Sequence, residues 1–380
     1  MKYSLTQDML KSYVPIFLEE VKGSVQNADC FKGDSGVFDV VEFIAPLTLY
    51  TAAASLQGKE VRQSLDGELS ALYHDLDKSF IPINFYMPGL PIPINRNRDK
   101  AHKKIVAIYQ KIIDTRRSAG GSDKHEGDDD MIWSMMRSTY KNGLPVPDHE
   151  IARMMIGLLM AGQHNTYSVG SWILFRLASR PEFQEELYKE QLQNLGPDLS
   201  LSVTKADMDR LPLHLMVVRE TLRLHAPIHT VMRAVKAPLT IVTKDPVSQT
   251  DRAYKVPPSH VLIAAPGVTS RSESNFPDPE TWEPRRWESI ADLHDGDDVD
   301  TSKDALFKGA SSTYLPFGAG RHRCVGEMFA YLQLTVITAY LVHNFKFSNP
   351  PGVSELPQTD YSSMITRPVA TARLAWERRK

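Results

Sequence analysis

Cysteine is scarce in this chain: Cys30 and Cys324 are the two in 380 residues, almost a whole sequence apart. That excludes a disulfide framework and makes a reducing intracellular compartment the expectation. Surplus charge is missing as well. The formal net charge is −2, which removes the electrostatic case for nucleic-acid binding. No apolar run reaches the ~18 residues of a membrane span. No internal repeat is visible, and Met1–Thr6 lacks the apolar core of a signal peptide. What is present is a 42% hydrophobic composition, enough for a large core in one or two domains. Two acidic stretches, Ser122–Asp130 and Asp292–Asp300, read as solvated loops.

Apolar spacing predicts a mostly helical chain with short strands late. Helical periodicity covers Leu5–Val25, Val40–Leu56, Val61–Leu76 and Asp99–Arg117. Pro82, Pro88, Pro91 and Pro93 mark an irregular segment between the last two. The longest periodic run follows Pro145-Val146-Pro147-Asp148, with Asp148 as the expected N-cap and Glu150 in the first turn. It extends to about Ser179. Further helices are predicted over Glu182–Leu195 and Leu211–Leu224, and strands over Leu239–Val242 and Val261–Ala265.

Three constellations carry chemistry. In the first, Phe317-Gly318-Ala319-Gly320-Arg321-His322-Arg323-Cys324-Val325-Gly326, small residues let backbone approach a flat partner. Cations flank one cysteine, and a helical pattern (Val325, Phe329, Leu332, Val336, Tyr340) begins directly after it. A cysteine at a helix start is expected to be a poised thiolate. A plain buried cysteine, a nucleophile paired with His322 and a zinc ligand compete with axial haem ligation. Zinc would need more soft ligands than two cysteines offer. Haem needs one cysteine, close glycine backbone and cations for its carboxylates.

The second is Ala161-Gly162-Gln163-His164-Asn165-Thr166 in the middle of the longest helix. Glycine costs a helix interior about 1 kcal/mol relative to alanine, and four polar residues in an oily helix add desolvation cost. Either a ligand and water enter there, or the stretch is a packing notch. The third is Glu220 with Arg223, three apart on one helix face among Met216, Val217, Leu222 and Leu224. Arg286, before Trp287, is a candidate third partner, and a structural clamp is the expected role.

In this order the motifs resemble the cytochrome P-450 (haem-thiolate) family, and within it the fungal sterol 14α-demethylase branch. The branch resemblance is carried by Phe80-Ile81-Pro82-Ile83-Asn84-Phe85, Tyr140-Lys141-Asn142-Gly143, Pro145–Glu150, Ala161–His164, Pro227-Ile228-His229 and Asp360-Tyr361-Ser362-Ser363. The resemblance implies an α+β fold, mainly helical with small sheets, in one domain over 1–380 that begins inside the family's usual chain. It implies haem b with Cys324 as axial iron ligand, Phe317 and Gly318 against it, and His322 and Arg233 on its propionates. Glu220, Arg223 and Arg286 would form the clamp. His164, Asn165 and Thr166 would serve oxygen activation. Met87, Ile228, His229, Met232, Ser363 and Met364 would line the cavity for a sterol or terpenoid. Implied partners are O2, an NADPH-dependent flavoprotein reductase and azole-type haem ligands. The implied location is the endoplasmic reticulum membrane.

Two departures stand out. Asn165 occupies a position where the family usually has Thr or Ser, and Thr166 lies about 100° further round the helix. Met328 stands where relatives often carry Gln. These motivate a sibling oxygenase of terpenoid or steroid secondary metabolism as an alternative. The early start motivates another, an inactive, haem-poor remnant.

Overall fold

The computed structural model describes residues 5–119, 130–197, 199, 203–244, 248, 250–288 and 313–380. Helix α1 (Gln7–Asn27) leads into strand β1 (Ser35–Asp39) and α2 (Val40–Leu56). The short α3 (Lys59–Ser64), α4 (Glu68–Asp77) and α5 (Ile83–Tyr86) follow. Then come α6 (Pro93–Ser118), α7 (Met131–Met136), α8 (Asp148–Ser179), α9 (Pro181–Leu195), α10 (Lys205–Met208) and α11 (Pro212–Leu224). Strands β2 (Val231–Ala234), β3 (Leu239–Lys244), β4 (Asp251–Val256) and β5 (Val261–Ala264) precede the single turn α12 (Pro266–Thr269). The chain ends with α13 (Glu327–Asn344), β6 (Phe345–Ser348), β7 (Thr359–Asp360), β8 (Arg367–Pro368) and β9 (Arg373–Arg378). The fold is mainly helical with small antiparallel sheets, as expected.

Helices α8 and α13 are its axis, because both are apolar on nearly every side. From Thr166 to Ala178 every α8 residue except Arg176 is buried, and α13 is almost as enclosed from Phe329 to Val342. A side chain on Gly170 would lie 3.2 Å from Ile44 Cγ2, so glycine lets α2 close on α8. Buried amides, rather than ions, cross-link these helices. Gln57 Nε2 donates to Met155 O (2.8 Å) and Gln333 Nε2 to Thr51 Oγ1 (2.6 Å). Gln184 bridges Leu177 O and Phe347, donating to both carbonyls and accepting from Phe347 N. Each amide spends its N–H groups on a neighbouring element, in a setting where an unmade hydrogen bond would cost its full desolvation.

Strand β9 is central in the antiparallel order β1-β9-β6, with Ser35 opposite Glu377 and Phe345 opposite Arg378. Phe31 packs there on Phe38, Phe43, Phe345 and Trp376, with centroids 4.8–5.3 Å apart. The ribbons β2-β5, β3-β4 and β7-β8 are two-stranded.

Several boundaries depart from the sequence expectation. The predicted helix over 61–76 is two helices. Gly67 takes a non-helical conformation (φ −127°, ψ −135°), and Asp66 bonds back to Arg62 Nη1 at 2.8 Å. Helix α6 starts six residues early because Pro93 fits a first helical turn. Pro147 is the cap of α8; Asp148 lies inside its first turn and accepts from Arg117 Nε at 2.8 Å. The two acidic stretches lie outside the described residues except for Asp130, which is no solvated loop residue. It caps α7 through Trp133 N (2.9 Å) and pairs with the buried Arg116 (2.8 Å), which also holds Glu60 (2.9 Å).

Gly58 makes that ion cluster possible. Its φ is +92°, and an added Cβ would sit 2.4 Å from Asp130 Oδ2 and 2.8 Å from Arg116 Nη2. Gly58→Ala should therefore cost about 2–4 kcal/mol, from backbone strain and a displaced buried pair. Urea denaturation should show a lower midpoint at unchanged slope.

Candidate active site

The clamp residues are buried on α11. Glu220 and Arg223 are both 0% exposed. Glu220 accepts from Arg223 Nη2 (2.8 Å) and Nε (3.0 Å), Arg286 Nε (3.0 Å), Glu283 N (2.9 Å) and Trp287 Nε1 (3.0 Å). Arg223 spends its other hydrogens on the carbonyls of Ser270 (2.7 Å), Pro279 (2.6 Å) and Thr281 (3.0 Å). The carboxylate thus ties α11 to the 270–287 segment. Trp287 then packs at a tilt on Tyr314 (4.8 Å), whose hydroxyl donates to Arg219 O (3.1 Å) at the entry to the cysteine loop.

That loop turns on Gly318 (φ +70°) and Gly320 (φ +64°), conformations that a side chain would strain. Cys324 N donates to Phe317 O at 2.9 Å, closing the loop, and Phe317 packs on Tyr331 (5.2 Å). Arg323 is committed to Glu327 through two bonds of 2.6 and 2.7 Å. His322 and Arg233 are exposed, and neither holds a carboxylate among the described residues. The expectation of a cysteine poised at a helix start is corrected. Gly326 caps α13, so Cys324 precedes the helix by three residues. Surrounding protein pushes its thiol pKa up, against the lowering effect of the Gly326 N–H. Cys324 itself is exposed, next to the exposed Val325 and Met328.

The polar turn of α8 divides its residues between two directions. Ala161 is exposed and Gly162 and Asn165 are half-buried. A side chain on Gly162 would meet only Ala52 Cβ, at 3.7 Å. Asn165 Nδ2 donates to Ala161 O (3.2 Å) and Thr166 Oγ1 to Gly162 O (2.7 Å). His164 is buried among Tyr73, Phe80 and Tyr167, at 6.2, 5.6 and 5.9 Å between rings. Its Nε2 is 3.4 Å from Asp77 Oδ1. Burial lowers its pKa, Asp77 opposes that and Arg367 adds to it, so the ring is neutral at pH 7. Arg367 in turn donates to Tyr167 OH (2.8 Å) and pairs with Asp360 (3.2 Å).

Of the other predicted residues, Met87, Ile228 and Met232 are exposed apolar side chains at 52%, 44% and 52%. The His229 ring lies tilted beside Tyr361 (5.9 Å), and Ser363 Oγ donates to Phe80 O (3.3 Å). Phe80, Ser363 and His164 are thereby brought together; Met364 is half-buried with no polar contact to report. Asp77, Tyr73, Tyr167 and Arg367 escaped the sequence reading. The spacing of Tyr73 and Asp77, four apart on α4, was the available signal. A groove of about 380 Å³ beside Glu190, Leu213, Met216 and Arg285 contains none of these residues.

The family model for cytochrome P450 matches residues 2–375. The chain belongs to the cytochrome P450 family. It is a P450 monooxygenase, and a haem-thiolate iron cofactor goes with that family. Similar proteins include a sterol 14-alpha demethylase of Aspergillus flavus, 50% identical over 96% of this chain and 73% of the relative. Sterol 14-alpha demethylase cyp51A of Aspergillus fumigatus is 49% identical over 100% of this chain and 73% of its own length. The eburicol 14-alpha-demethylase of Penicillium italicum is 49% identical over 99% and 72%. Retinoic acid-bound cyanobacterial CYP120A1 shares the fold (TM-score 0.79, 20% identity), covering 100% of this chain and 77% of the solved one. No helix among the described residues is long and apolar enough to cross a membrane.

The residues of this P450 fit a haem. A glycine-turned loop offers one exposed sulfur beside apolar Val325, the exposed Arg233 and His322 have no carboxylate partner among the described residues, and the α8 turn is nearly free of side chains at Gly162.

Two outcomes follow for its frame. Glu220→Ala leaves Arg223 buried without its counter-charge and should cost about 3–5 kcal/mol in chemical denaturation. The second concerns His225, stacked on Trp172 at 3.8 Å and accepting from Arg176 Nε at 3.1 Å. Burial and the neighbouring Arg176, Arg271 and Arg223 hold its pKa well below 6.5. The unfolded chain binds this proton below about pH 6.5 and the native state does not, so stability falls as pH falls. Between pH 7.5 and 5.5 the loss should be about 1 kcal/mol. His225→Asn should flatten that part of the profile of urea midpoints.

Proposed function

We propose that this P450 oxidises a sterol or related triterpenoid, as the sterol 14-alpha demethylases do, with O2 and reductase-supplied electrons. The supporting observation is identity near 50% with those proteins across nearly the whole chain, joined to a site that fits haem. Cys324 would hold the iron through its sulfur, Phe317 and Gly318 would flank the group, and His322 and Arg233 would take its carboxylates. Bound in this way, haem supplies O–O cleavage and the oxidation of an unactivated C–H bond.

The chain's own residues do the rest. Glu220, Arg223 and Arg286 fix the frame that carries the cysteine loop. His164, neutral and 3.4 Å from Asp77, is suited to pass protons between solvent and the open face of α8. Asn165 and Thr166 share that turn. Met87, Ile228, Met232 and Met364, with His229 and Ser363 as polar points, suit a large and mostly apolar substrate. Electrons come from NADPH through a flavoprotein reductase docking on the Cys324 side. Azole-type nitrogen heterocycles compete at the metal, and the enzyme works at the endoplasmic reticulum membrane. Asn165 and Met328 favour one second reading, a terpenoid-tailoring sibling.

The reduced, carbon monoxide-treated protein should show the red-shifted Soret band of thiolate ligation, and Cys324→Ser should lose it. A parent protein without that band sinks the haem-thiolate site. Incubation with reductase and a lanosterol-like sterol should give demethylated product. Turnover of another terpenoid alone would select the sibling.

A further inference from the structure

The β7-β8 hairpin cannot hold its own position. Its ladder is two residues deep, with Thr359 opposite Pro368 and Asp360 opposite Arg367, and Pro368 has no N–H to contribute. A ribbon of that size is not stable in isolation. Its place is fixed from outside. After the turn, Thr366 N donates to Pro227 O (2.9 Å) and Thr366 Oγ1 to Ala226 O (3.1 Å), while Ser168 Oγ of α8 donates to Thr366 O (2.6 Å). Thr366 is buried, so the exit from the turn is pinned on two sides.

The entry to the turn is held through side chains. Asp360 Oδ1 accepts from Ser362 N (2.8 Å), and its Oδ2 accepts from Arg367 Nε across the ladder (3.2 Å). Arg367 Nη1 then donates to Tyr167 OH (2.8 Å), and Tyr167 is 3% exposed on α8. Tyr167, Arg367, Asp360 and the Ser362 amide thus form one relay from a sealed helix to the first residues of the turn. The phenol accepts a charge-assisted bond, the stronger kind, without adding a second charge to a buried helix. Between this relay and Thr366 lie residues 361–365. Ser363 reaches Phe80 O (3.3 Å) and Tyr361 lies 5.9 Å from the His229 ring. The turn therefore joins the stretch around Phe80 to the stretch around His229.

We propose that Tyr167 is a specificity-determining positioning residue. Through Arg367 and Asp360 it sets where the 361–365 turn stands, and hence the fit of a large apolar substrate against Ser363 and Met364. It touches neither the reacting atoms nor the metal. A ligand small enough to occupy the metal alone does not reach the turn and does not sense the relay. This deepens the sterol-oxygenase reading and rests on it.

The test uses the haem-loaded full chain and Tyr167→Phe, which keeps the ring and loses the acceptor of Arg367. Soret titrations compare imidazole with a lanosterol-like sterol. Tyr167→Phe should weaken sterol binding about three- to tenfold, the worth of one hydrogen bond, and change imidazole binding by less than about twofold. Asp360→Ala cuts the same relay at its other end and should give the same split. The double variant should be no weaker than the weaker single one, since the two losses are not independent. Hydrogen exchange reads the relay without ligand or haem. The Ser362 amide should exchange about three- to tenfold faster in Tyr167→Phe while the Thr366 amide keeps its parent rate. Unchanged sterol affinity, an equal loss for imidazole, or both amides accelerated together overturns the proposal. Failure of the haem reading is seen separately, as a missing carbon monoxide band in the parent, and leaves the exchange pattern to decide the relay.

Discussion

One carboxylate, fully removed from water, sets the geometry on which the cysteine side depends. Glu220 accepts five hydrogen bonds from four residues on two segments, α11 and the stretch 283–287. A buried ion is tolerable only when every lone pair is used and its counter-charge is close. Both conditions hold. With two guanidiniums against one carboxylate the cluster carries a surplus positive charge, which the carbonyls of Ser270, Pro277, Pro279 and Thr281 offset. Those carbonyls belong to an irregular stretch with no sheet or helix to satisfy it. The clamp is its secondary structure by other means, and Tyr314 and Trp287 hand that rigidity on to the loop of Cys324.

The polar turn of α8 is built by omission. Gly162 and Ala161 withhold side chains, and Asn165 and Thr166 fold back on their own helix. The second half of α8 is sealed in the core, so the polar turn is anchored on one flank and open on the other. His164 marks the border. It is buried against aromatic rings but still within reach of Asp77, whose side chain is 29% exposed. The ring is thus a neutral group set between a buried wall and a half-exposed carboxylate.

Much of this was legible in the residues, for a physical reason in each case. Long helices announce themselves through 3.6-residue apolar spacing, so α2, α8, α9 and α11 lie where periodicity put them. Strands of two to six residues leave too few alternations to read; β1, β2, β4 and β6–β9 were missed on that account. Glu220, Arg223 and Arg286 were readable as a group because hydrophobic neighbours made a solvated pair costly. Asp130 was misread because its charge run hid a single residue whose partner, Arg116, lies on another helix. At Cys324 the helix start was misplaced, since where a helix begins depends on Gly326 and Glu327, not on the apolar pattern after them.

The polar turn also explains why the surrounding helices are fastened as they are. Gly162 lowers the helix propensity of α8 near its centre, and that loss is offset elsewhere. The offsets lie close by. Gln57 grips Met155 O two turns before Gly162, and Ser168 Oγ grips Thr366 O (2.6 Å) less than two turns after it. Both are buried, short and directed at backbone. They resist bending without adding a charge near the reacting face, which an ion pair of the same strength would do. A helix opened at its centre and pinned on either flank keeps its gap where a ligand can use it.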